Sequence, residues 1–153
     1  MTNTDFAFLD GAWDSTQRRL ATPLAGKDDW QDFTATLDCG LFLDGNATFD
    51  VLRSPERDLE GITLRLYDPD DKAWRIWWAS KTSGGKLDVP VKGSFIDGVG
   101  TFECDDTYRG TPVRVRYRWS DTDTEHPRWE QAFSTDAGDT WETNWVATFT
   151  RRE

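Results

Sequence analysis

The chain has a single histidine in 153 residues, and that scarcity removes whole classes of chemistry. A His–His metal pair cannot form, and any Ser-His-Asp arrangement depends on His126 alone. The two cysteines, Cys39 and Cys104, lie in no C-x-x-C pair, so a structural zinc site has no ligand set. Basic residues are in deficit, 18 Lys and Arg against 28 Asp and Glu. The resulting charge of −10 argues against a nucleic-acid partner or an anionic membrane surface, since both need basic patches. No apolar run approaches the roughly 20 residues that span a bilayer. The opening MTNTDFAFLDGAW lacks a basic region followed by an apolar stretch, so no export signal is read and a cytoplasmic location is expected. Reduced thiols are then expected in preference to a disulfide. With no linker or low-complexity run, residues 1–153 are expected to form one domain.

Aromatics are what the chain has in excess, with nine Trp, nine Phe and three Tyr. They recur with period two, the spacing of a strand that buries one face. The clearest case is Arg128–Phe149. Trp129, Gln131 and Phe133 alternate on one side, and Trp141, Thr143, Trp145, Ala147 and Phe149 on one side of a second run. The turn between them, Ser134 to Trp141, fits the Asp-box pattern S-x-D-x-G-x-x-W. In such a turn Gly138 supplies a positive φ and the Asp136 carboxylate accepts turn amides.

Ten strands are predicted: Ala12–Leu20, Trp30–Cys39, Ala47–Arg53, Gly61–Tyr67, Ala73–Ser80, Gly93–Ile96, Gly100–Asp105, Val113–Trp119, Arg128–Ser134 and Trp141–Thr150. Turn residues separate them, and Phe6–Leu9 reads as a short helical turn at one end. Short strands joined by hairpin turns point to an all-β fold, a closed antiparallel up-and-down barrel that leaves no open edge. Alternation places Ile62, Leu64 and Leu66 inward, against Thr63, Arg65 and Tyr67. It also places Trp74, Ile76, Trp78, Val113, Val115, Tyr117 and Trp119 inward. Arg114, Arg116, Arg118 and Arg128 then form an outer ladder facing Glu130 and Glu142. An inward Arg65 or Arg116 holding a polar head group is the minority reading, because an unpaired buried charge is costly.

Other residues carry a family resemblance. Leu9-Asp10-Gly11-Ala12-Trp13 looks like the G-x-W start of lipocalin-like, or calycin, barrels. Leu64–Pro69, Ile76–Trp78, Gly98–Phe102, Trp129–Ser134 and Trp141–Trp145 resemble a family of small bacterial proteins of unknown function that are assigned that barrel. The resemblance implies the fold and leaves the activity open. A single Asp-box does not make a sialidase, which repeats the box in a much longer propeller.

Three functions follow as expectations. The first is binding of a small, largely apolar or aromatic molecule inside the barrel. Trp78, Trp119, Trp129 and Trp145 would form the walls, with Tyr117, Gln131 and Thr143 as sparse polar points. A solid core of interlocked rings is the competing outcome. The second is a small-molecule enzyme of isomerase, cyclase or hydratase type, with Asp106, Tyr117, Glu130 or Glu142 as the acid or base. The third is haem or nitric-oxide binding through His126. His126 sits in the polar turn Asp121–Pro127, where an exposed loop residue is the simpler reading. Asp105-Asp106 and the run Asp68 to Asp71 are read as turns, the latter lacking calcium-loop spacing. Outward Trp77 and Tyr67 could mark a contact between copies, and both monomer and homodimer remain open.

Overall fold

A computed structural model describes residues 2–152. Ten antiparallel strands follow one another in chain order: β1 (Gly11–Leu20), β2 (Trp30–Phe42), β3 (Ala47–Ser54), β4 (Leu59–Asp68), β5 (Ala73–Ser80), β6 (Val91–Ile96), β7 (Val99–Tyr108), β8 (Thr111–Ser120), β9 (Arg128–Ser134) and β10 (Glu142–Arg151). Each pairs with its neighbours, and β1 pairs with β10, so the sheet closes into an up-and-down barrel. All ten predicted strands are present, most extended by a residue or more at an end. Closure satisfies the edge amides that an open sheet would leave bare.

One barrel end is shut by the N-terminal segment. A 3₁₀ turn at Ala7–Leu9 carries Leu9, and with Phe6 just before it both side chains are fully buried. The Phe6 ring meets Trp74 edge-on at 4.8 Å and Phe95 at 5.0 Å. The Trp13 indole donates to the Leu9 carbonyl at 2.9 Å, and the Arg151 guanidinium lies over the Trp13 ring. Gly11 permits this closure. Its φ is +114°, and a Cβ there would meet the Arg151 guanidinium.

The Asp-box turn between β9 and β10 forms as read. The Asp136 carboxylate accepts the Thr140 amide at 2.8 Å and the Ser134 hydroxyl at 2.7 Å, and Ser134 Oγ accepts the Gly138 amide at 2.8 Å. These donors, led by the Thr140 hydroxyl, hold the Asp136 carboxyl down to about 2. Both cysteines are free. Among the described residues no helix is long and apolar enough to cross a membrane.

The inside-out assignment of β4 is overturned. Thr63 and Arg65 are buried on the barrel interior, and Tyr67 packs on Trp74 at 5.4 Å, whereas Ile62, Leu64 and Leu66 lie on the outer side. β3 is built the same way, with Thr48, Asp50, Leu52 and Ser54 buried and Phe49 exposed. The cause is pairing. Thr48 stands opposite Arg65, and Asp50 opposite Thr63, so the polar faces of the two strands satisfy one another inside. Outside, Phe49, Leu64 and Trp77 lie in register and cover each other in part.

Candidate functional site

The barrel is hollow. A cavity of about 400 Å³ opens at the end opposite Phe6. Inward residues of all ten strands line it, and its aromatic wall comes from β5, β8, β9 and β10, since alternation on a strand sends every second side chain to the axis. Trp78, Tyr117, Trp119, Trp129, Gln131 and Trp145 all line it. Their rings meet edge to face: Tyr117 and Trp129 at 5.2 Å, Trp129 and Trp145 at 5.4 Å, Trp78 and Trp145 at 6.1 Å. Edge-on contacts lock the rings as walls and leave the axis clear. Gly61 has a structural part here, since a Cβ on it would run into the Trp78 ring.

Thr143 does not line the cavity. The β9–β10 register shifts between Thr143 and Trp145, so Asn144 is an extra residue in a bulge. Thr143 and Trp145, two apart in sequence, therefore fall on opposite faces. Asn144 is buried and accepts the Gln131 amide at 2.9 Å, which fixes the Gln131 side chain. The Trp145 indole donates to Gln17 Oε1 at 2.6 Å, and Gln17 donates on to Ser15 Oγ at 2.8 Å. The Tyr117 hydroxyl makes no hydrogen bond among the described residues, and burial pushes its pKa well above the ordinary value.

The four acid–base candidates separate. Tyr117 and Asp106 line the cavity, Asp106 at the mouth. Glu130 lies outside on the ladder with Arg128 at 3.4 Å and Arg118 at 3.9 Å. Glu142 is engaged at the rim, where it accepts the Leu24 amide at 2.7 Å. The rest of the expected ladder is rearranged: Arg114 pairs with Glu103 and Asp105, and Arg116 covers the Trp141 ring at 4.3 Å. His126 is exposed, its Nδ1 is 3.1 Å from Thr150 Oγ1, and it is absent from the cavity wall. No cluster of His, Cys, Asp and Glu suited to a metal ion occurs among the described residues.

The floor and the mouth add Asp50, Asp88, Cys104 and Arg19, which the sequence reading did not single out for the site, to Asp106 and to an Arg65 that turns inward as its minority reading allowed. On the floor, Arg65 Nη1 donates to Asp50 Oδ2 at 2.7 Å and to Thr48 Oγ1 at 3.0 Å. Burial pushes the Asp50 carboxyl up, while Arg65 pulls it down. At the mouth, Asp88, Asp106, Cys104 and Arg19 join the wall. The Asp88 carboxyl is raised by partial burial and then by Asp106, and burial pushes the Cys104 thiol to about 11. β5 and β6 are registered only over Trp74–Ile76 with Val91–Gly93, so the upper half of β5 borders a loop, whose Asp88 amide donates to the Trp78 carbonyl at 2.8 Å. The one sequence signal for the floor was an acid on β3 and a base on β4 at matching places in their alternation.

No family model matches the chain, and no curated protein matches it. Among solved structures it is similar to the S-type phycobiliprotein lyase CPES from Guillardia theta. The match has a TM-score of 0.58 at 12% identity and covers 97% of this chain and 90% of that one. At that identity the likeness bears on the fold, a closed ten-stranded antiparallel barrel, and not on a shared activity.

Proposed function

We propose that this protein binds a small, largely apolar or aromatic molecule within the barrel. The observation that carries this is the hollow interior of about 400 Å³ walled by four tryptophans and Tyr117. The indole walls carry polar groups among them, with Arg65 and Asp50 on the floor and Asp88 and Asp106 at the mouth, and a concave site that joins aromatic walls to converging polar groups suits a small molecule. Indole faces supply contact area, and the Tyr117 hydroxyl, without a partner among the described residues, supplies orientation. The test is tryptophan fluorescence during titration with aromatic and acyl compounds, with native mass spectrometry for retained ligand. A bound compound shifts the emission of Trp78, Trp129 or Trp145. An unchanged spectrum and an empty mass spectrum across the panel refute the reading.

One observation favours a catalytic variant of this reading. Asp88 and Asp106 share the mouth, and partial burial, followed by the Asp106 charge, raises the Asp88 carboxyl. A raised carboxyl beside a binding cavity can serve as a general acid. Asp88 is solvent-exposed, which limits the effect, so binding stands first. The neighbour named as a phycobiliprotein lyase makes lyase-type substrates a reasonable starting panel. Turnover that survives Asp88→Asn with Asp106→Asn removes this variant.

A further inference from the structure

The floor of the cavity carries donor capacity that the protein does not use. The Arg65 side chain is only 5% exposed. Both of its recorded hydrogen bonds leave from Nη1, to Asp50 and Thr48, and its buried Nε has no partner among the described residues. The guanidinium is held in place: its centre lies 5.0 Å over the Phe6 ring and 5.9 Å from that of Trp119. Nε is closed off, so the donor left for a ligand in the cavity is Nη2, which makes no hydrogen bond among the described residues and suits an oxygen acceptor. Buried donors are seldom left unmet, because nothing repays their lost hydration.

Charge decides the kind of acceptor. Asp50 already balances Arg65, so the floor is a neutral ion pair with spare N–H groups. A ligand anion placed there would also face the Asp50 carboxylate and would lose its own hydration on entry. A neutral carbonyl oxygen, with only a partial charge and weaker hydration, meets both costs at a much smaller size. Resting on the small-molecule reading above, we propose that Arg65 anchors a carbonyl oxygen of the bound molecule. The ligand class is then a flat aromatic or acyl compound with a ketone, aldehyde or amide at its deep end, its apolar body lying among Trp119, Trp129 and Trp145.

The test compares three probes of similar size by calorimetry: 2-acetylnaphthalene, 2-isopropylnaphthalene and 2-naphthoate. In the unaltered protein the ketone is expected to bind at least about tenfold tighter than the hydrocarbon, the worth of one hydrogen bond to a charged donor. In the double variant Asp50→Leu with Arg65→Met, which removes both charges together, the ratio should fall to within about twofold while the hydrocarbon binds as before. Tyr117→Phe, which removes the other orienting hydroxyl, should lower the ketone preference by less than the double variant does. The infrared carbonyl stretch of the bound ketone should lie below its value in an apolar solvent, a readout that holds even if the double variant does not fold. Equal binding of ketone and hydrocarbon overturns the inference and leaves the apolar cavity standing. A naphthoate bound about tenfold tighter than the ketone overturns it in favour of an anion site, and loss of the preference in Tyr117→Phe moves the anchor to Tyr117. Failure of all three probes to bind overturns both this inference and the reading beneath it.

Discussion

At the end of the barrel that the N-terminal segment enters, Phe6 and Leu9 are fully buried and an aromatic cluster fills the axis. At the opposite end the same alternation of strand residues leaves a cavity, with Asp88, Asp106 and Arg19 around its mouth. Both ends draw on aromatic side chains. They differ in whether a separate segment is threaded between those side chains. Phe6 interlocks with Trp74, Phe95 and Phe102, whereas nothing enters between Trp78, Trp129 and Trp145. A ring of inward indoles is therefore a core where chain fills it and a pocket where chain does not.

Substitutions at the two ends should break this contrast in order of size. Phe6→Ala at the filled end is expected to cost about 3–5 kcal/mol in urea unfolding, the range for a fully buried aromatic. Arg65→Met alone, at the boundary between the ends, should cost about 3 kcal/mol by leaving Asp50 buried without its partner. Trp129→Ala at the hollow end should cost only about 1–2 kcal/mol, since its partly buried ring borders an unfilled space, yet it should weaken ligand binding most. A Phe6→Ala variant no less stable than Trp129→Ala would remove the distinction.

Smaller effects sharpen it. Gly61→Ala should push the Trp78 ring into the cavity and lower the affinity of bulky ligands more than that of small ones, read by titration. Cys104 should react with iodoacetamide at pH 8 about a hundredfold more slowly than a free thiol, because its pKa of about 11 leaves little thiolate. A saturating ligand should slow it further, while Cys39, pushed to about 12, stays inert in both states. The Asp-box contributes last. The Asp136 carboxyl is depressed in the fold, so its contribution is complete above the ordinary carboxyl range and is lost as pH falls towards about 2. Asp136→Asn should flatten that part of the acid-unfolding curve.

Much of the site was readable because β5, β8 and β9 alternate without interruption and their inward faces are apolar. Trp78, Tyr117, Trp119, Trp129 and Gln131 follow from counting by twos. Thr143 was misplaced because a single inserted residue, Asn144, shifts the count, and a bulge has no mark in composition. Arg65 was misplaced for a different reason. The apolar-inward rule holds on average, but β3 and β4 reverse it together, and the reversal is stable only because their polar faces meet.

Chain order alone determined the ten strands, their antiparallel succession, the Asp-box turn and the acidic, aromatic character of the molecule, since each depends on residues close in sequence. Tertiary structure decided which end is plugged, that the axis is open, and that an arginine forms its floor. Those outcomes depend on register between strands and on the path of the N-terminal segment, where residues as far apart as Trp74 and Asp5 come within 2.9 Å. Local periodicity fixes the two faces of a strand, but only its neighbours fix which face turns to the axis.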